Sequence, residues 1–316
     1  MANKSLFILL ILALITVPMV LGGYPVYILN MMGVFAIAAI GYNLLGGTTG
    51  QISLGHQGFF AIGAYAETLL MMKLGLPFPV AMLCGGVIAA AAGAILGLPS
   101  LRLSGVYLSI ATLAFGLSIQ KIIVMWKELT NGAFGLTVPN PVLGGLDFRA
   151  DERYFYALVL VVLAFAIINT LNLSKSRSGR AMVALKENPV AAACVGIDIT
   201  SYKLLSFVIS AFFTGVAGAL YAHLVGFVAP ENFDLNLAIS FLLMIILGGS
   251  GTVAGAVIGA AFITGFPEAL KSIQDWQRVI YGLVLIIVII FQPGGLVGMG
   301  RSIKKFAGRL VLCCWK

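Results

Sequence analysis

The sequence predicts an all-α, polytopic membrane protein: one bundle of about 10 transmembrane segments (8–10), with Gly-rich broken or re-entrant stretches. Three observations carry that expectation. Hydrophobic residues make up 60% of the chain and charged residues only 9%, which excludes an ordinary soluble domain. Apolar runs of span length recur from end to end. The charges gather in a few places, above all an island at residues 172–203.

The predicted spans are 6–22, 26–46, 58–74, 77–98, 104–126, 153–171, 204–225, 237–248, 251–268 and 278–292. The first follows Lys4 and ends near Gly22 and Gly23, so it also resembles a signal peptide. Its run from Leu6 to Leu21 is long for such a peptide, and a retained helix is expected. Lys175, Arg177, Arg180, Lys186 and Lys203 mark the island as cytoplasmic, and Arg301, Lys304, Lys305, Arg309 and Lys316 do so for the tail, 293–316. With Lys4 inside, the crossings alternate consistently: both termini are cytoplasmic, and residues 127–152 face outward. The whole chain, 1–316, reads as a single transmembrane domain. The net charge of +8 is expected to face anionic membrane lipid, not nucleic acid.

Two stretches break the pattern. Residues 46–58, GGTTGQISLGHQG, carry five glycines and no acidic residue, Lys or Arg; residues 248–255, GGSGTVAG, repeat the theme. Such interruptions are tolerated at membrane depth where protein or a water-filled cavity shields the backbone. The first stretch is therefore expected to line a translocation path through Gly47, Thr48, Gly50, Gln51, Ser53, Gly55 and His56. A tight helix turn with close packing is the competing reading. Glu67 lies well inside a span, where a carboxylate is costly, and joins the path residues; the alternative has it reach the outer interface near Lys73. His56 fits hydrogen bonding to the loop better than proton transfer. His223 and Glu268 fall near outer ends, where interfacial solvation suffices. Trp126, Tyr154, Trp276 and Tyr281 read as interfacial anchors.

At the centre of the island, Asn188 suits an N-cap, Pro189 the first helical position, and Gly196 the left-handed residue past the end. The helix between them would be roughly 10 Å long, too short to span, with Ala191, Ala192 and neighbours forming a small apolar face. It is suited to a protein partner; a connecting helix lying against the membrane is the plainer alternative. Cys84, Cys194, Cys313 and Cys314 have no metal-site spacing, and no catalytic constellation or Walker-type loop stands out. No cofactor is expected on this chain.

Several motifs together resemble the branched-chain amino acid ABC transporter permeases of the LivM type. They are GTTGQISLGHQGFFAIGAYAETLL at 47–70, SGVYLSIATLAFG at 104–116, SKSRSGRAMVALKENPVAAACVGI at 174–197, KLLSFVISAFFTGVAGALYA at 203–222, ILGGSGTVAGAVIGA at 246–260 and FQPGGLVG at 291–298. The resemblance implies a LivH-like second permease subunit, two cytoplasmic ATPases that hydrolyse ATP, a periplasmic amino-acid-binding protein, and residence in the inner membrane. It also makes the island a coupling loop, with Arg180, Glu187, Asn188, Pro189, Ala191, Ala192 and Gly196 as its coupling residues. The general importer loop carries Glu-Ala-Ala, three residues, then Gly; here Val190 takes the Glu position, and Glu187 is the nearby acid. A urea-type permease of the same group, or a self-contained secondary transporter or channel, are the other readings.

Overall fold

The structure is a computed structural model that describes residues 22–100, 103–143, 146–148 and 152–269, together with 271, 280, 282, 283, 286 and 295–298. Most of the predicted spans 6–22 and 278–292, most of the tail, Trp276 and Tyr281 lie outside the described residues.

The described helices are α1 (Tyr24–Tyr42), α2 (His56–Leu74), α3 (Phe78–Ser100), α4 (Val106–Met125), α5 (Lys127–Thr130), α6 (Glu152–Lys175), α7 (Arg177–Glu187), α8 (Pro189–Cys194), α9 (Ile199–Val225), α10 (Leu235–Gly248) and α11 (Val253–Ala269). Among the described residues, five segments are long and apolar enough to cross a membrane: Tyr24–Thr48, Phe78–Pro99, Val106–Met125, Glu152–Lys175 and Ile199–Val225. The 14-residue α10 spans only about 21 Å at 1.5 Å per residue, short of a hydrocarbon core of roughly 30 Å. It pairs with α11 as a hairpin, and a Cβ at Gly248 or Gly259 would overlap the facing backbone of Gly255 or Met244.

At the centre stands α9, packed on α1, α2 and α3. Missing side chains permit this: a Cβ on Gly63 of α2 would overlap Gly215 of α9, and one on Gly218 would overlap Phe60. Small-residue contacts of this kind replace the hydrophobic drive that lipid cannot supply. Rings of Phe35, Phe60, Tyr221, Phe233 and Phe241 fill the space between α1, α2, α9 and α10, with the Phe60 and Tyr221 centroids 5.2 Å apart.

The two ends of the bundle differ. One gathers the island, the ends of α1 and α10, and the starts of α2 and α9. The other carries residues 127–143 and 146–147 and two short ladders. There β1 (Leu136–Thr137) pairs antiparallel with β4 (Phe227–Val228), and β2 (Val142–Leu143) with β3 (Leu146–Asp147). Trp126 and Tyr154 are exposed at this second end.

Candidate functional site

The first glycine break starts later than the sequence suggests. After α1 the chain continues through a π-helical turn, Asn43–Thr48, before it opens out. Asn43 explains the widened turn. Its Oδ1 accepts from the Gly251 N–H at 2.8 Å and its Nδ2 donates to the Thr252 carbonyl at 3.2 Å. Gly47 must lack a side chain, because a Cβ there would overlap both Asn43 Oδ1 and the Gly251 nitrogen. Gly295, of the closing FQPGGLVG motif, has φ +68° and lies against Gly249. Three glycine-rich motifs, far apart in sequence, thus meet at the island end.

Beyond the turn, polar side chains of the break close inward onto α9. Gln51 Nε2 donates to Ser206 Oγ and Thr49 Oγ1, both at 3.1 Å. His56 lies 2.7 Å from Ser210 Oγ through Nε2 and 3.2 Å from Ser53 Oγ through Nδ1. The Leu54 N–H donates to Thr112 Oγ1 on α4 at 3.0 Å. Gly47, Gln51, Ser53, Gly55 and His56 are buried, Thr48 is half-buried, and Gly50 is exposed with Ile52. The break therefore offers outward mainly its backbone around Gly50 and the Ile52 side chain.

That opening adjoins an unusual helix face. The exposed apolar residues of α3 (Val80, Leu83, Val87, Ile95) and α6 (Val161, Phe165, Ile168) form hydrocarbon surfaces. On α4, Tyr107 and Ile110 are exposed together with Ser118 and Lys121, and Ser109 Oγ donates to the Ile52 carbonyl at 3.0 Å. A face that mixes a cation, hydroxyls and non-helical backbone is poorly suited to lipid.

The island folds as the local sequence dictates. Ser176 caps α7 by accepting from the Gly179 N–H at 3.2 Å. Ala181, Met182 and Leu185 anchor the helix through one buried face. Asn188 Oδ1 then caps α8, accepting from the N–H groups of Val190 at 3.0 Å and Ala191 at 3.1 Å. Gly196, at φ +83°, ends it: its N–H bonds the Ala193 carbonyl while the Ile197 N–H bonds that of Ala192, a Schellman closure. Asp198 caps α9, and the Ser201 hydroxyl at 2.6 Å, followed by the backbone N–H groups of Ser201 and Thr200, holds its carboxyl below the usual carboxylate range.

Residues 24–289 match the family described as branched-chain amino acid transport system / permease component. The chain belongs to that permease family. It is 33% identical to the high-affinity branched-chain amino acid transport system permease protein LivM of Salmonella typhimurium, over 96% of this chain and 77% of the relative; LivM of Escherichia coli matches equally. It is also 27% identical to LivH of Escherichia coli, over 84% of this chain and 91% of the relative. These relatives do not favour a urea permease or a self-contained transporter.

Two placements in this permease differ from the sequence reading. The face of α8 is not uniform: Ala192 is buried at 3% exposure, while Val190, Ala191, Ala193, Cys194 and Val195 are exposed. A six-residue helix lying on α7 must turn one side inward, and Ala192 is on it. At the opposite end His223 is buried rather than interfacial, and its Nε2 meets Glu67 Oε1 at 2.5 Å, with both side chains at 0% exposure. The Phe78 ring stands edge-on to His223 at 4.6 Å. Glu67 thus joins α2 to α9 inside the bundle, paired with His223. The sequence shows two ionisable residues in separate spans and nothing of their pairing. Of the residues expected to couple, Arg180 is exposed and its Nη1 donates to the Lys175 carbonyl at 2.8 Å; Glu187, Pro189 and Gly196 are exposed too.

Proposed function

We propose that this permease is the membrane subunit of an ATP-driven importer for branched-chain, hydrophobic amino acids in the cell's inner membrane. It pairs with a LivH-like second permease, receives solute from a periplasmic binding protein, and docks two cytoplasmic ATPases that supply hydrolysis. The island, both glycine breaks and both termini are cytoplasmic in this reading, and the chain has about ten spans. The observation that carries it is α8: a short helix, capped at both ends, that presents small apolar side chains at the same end as the glycine breaks. Such a helix suits a protein groove, where close approach depends on small side chains.

The solute path runs between the two permeases along the exposed α4 face and the break around Gly50 and Ile52. There, non-helical backbone meets the ammonium and carboxylate of a zwitterion, and apolar walls accommodate its side chain. Co-expression with these three kinds of partner, followed by uptake of radiolabelled leucine into vesicles, tests the reading. Uptake that needs ATP and no ion gradient is expected; uptake driven by a proton or sodium gradient without ATP would overturn it.

A further inference from the structure

Lys186 sits at the end of α7, two residues before the Asn188 cap of α8. Its ammonium leaves the island and donates to the Gly47 carbonyl at 2.8 Å. Gly47 belongs to the π-helical turn that Asn43 ties to Gly251 and Thr252. The same side chain passes beneath Gly50: a Cβ built on Gly50 would stand 3.1 Å from Lys186 Cγ and 3.6 Å from its Cβ. At one point, then, a single cation joins the helix preceding α8 to the turn that ends α1, and Asn43 carries the connection to the loop between α10 and α11.

We propose that Lys186 is a positioning residue that transmits displacement of α8 to the junction of the two glycine breaks. The mechanism rests on stiffness and chemistry. Buried Ala181, Met182 and Leu185 and the Ser176 cap make α7 a lever rather than a loose loop. A charge-assisted hydrogen bond to a carbonyl is stronger than a neutral one and falls off steeply with misalignment. The π-turn is the element on which that lever pulls, and single widened turns of this kind concentrate at functional sites. Movement of α8 therefore pulls on Gly47, and through Asn43 on Gly251, beside the exposed break at Gly50 and Ile52. This proposal rests on the importer reading.

The test uses the whole importer in lipid vesicles, carrying Lys186→Met or Lys186→Arg. Three quantities are read: ATPase subunits retained per permease, ATP hydrolysis with and without loaded binding protein, and solute uptake. For Lys186→Met the expected result is full retention of the ATPases, loss of most of the stimulation by loaded binding protein, and uptake at least tenfold lower, so that more ATP is spent per solute. Lys186→Arg, which keeps a cationic donor of similar reach, should restore most of the uptake. Uptake by Lys186→Met within twofold of wild type overturns the proposal. So does loss of the ATPases or of assembled protein in step with uptake, which would make Lys186 a docking or folding residue. A wild-type assembly that retains no ATPase would instead overturn the importer reading itself, and the proposal with it.

Discussion

Glu67 and His223 make the sharpest claim about how this bundle is held together. Both side chains are wholly buried and meet at 2.5 Å, and His223 Nδ1 has no protein partner. Removing one member strands the other. If the pair is a neutral hydrogen bond, Glu67→Leu costs about 1–3 kcal/mol for the orphaned polar group; if it is ionised, about 3–5 kcal/mol for the uncompensated buried charge. Replacing both with apolar residues, Glu67→Leu with His223→Phe, removes both desolvation penalties and should cost far less than the sum of the single changes. Glu67→Gln keeps an acceptor for His223 and should be mild. The assay is the fraction of monodisperse protein surviving a temperature series in detergent for the four members of the cycle, with uptake in parallel. Additive single and double changes, or a Glu67→Gln variant that is stable yet unable to transport, would refute the reasoning and return Glu67 to the solute path.

Three further outcomes are expected. Ala191→Arg, on the exposed side of α8, should leave insertion intact and abolish ATPase co-purification, whereas Ala192→Arg, buried at 3%, should lower the yield of folded protein by overpacking its site; equal behaviour in the two variants would remove the distinction between the faces. Gly55→Val drives a side chain into the Thr112 carbonyl and should cost expression, while Gly50→Val, at φ +73° on the exposed break, should impair uptake more than expression; normal uptake by Gly50→Val would make that stretch a mere turn. With the four native cysteines replaced by serine, a cysteine at Tyr107 on α4 should react with a charged thiol reagent and one at Ile95 on α3 should not, and equal reactivity would contradict the assignment of α4 to the path.

Much of this was legible because hydrophobicity and capping act locally. Spans such as 77–98 and 104–126 match α3 and α4 to within a few residues, since a continuous apolar run admits few other structures in lipid. The bounds of α8 were equally readable, because Asn188, Pro189 and Gly196 each have a backbone reason to stand where they do. What the sequence concealed is set by packing between distant segments. No periodicity shows that α1 continues as a π-turn, because the cause is Asn43 reaching Gly251 and Thr252, more than 200 residues away. Nor does any local signal show that Ala192 turns inward among similar neighbours, or that Glu67 and His223 face each other. Nor does the sequence show that Gln51, Ser53 and His56 each bond a neighbour within the subunit, as buried polar groups generally must.

The most direct measurement of the central claim is ATP-dependent uptake by the complete assembly reconstituted in vesicles, comparing wild type with Ala191→Arg in the absence of any ion gradient. Leucine, isoleucine or valine is expected to accumulate with the wild type only when ATP reaches the face that carries α8, and not at all with Ala191→Arg. Equal uptake by the two proteins, or uptake indifferent to ATP, would contradict it.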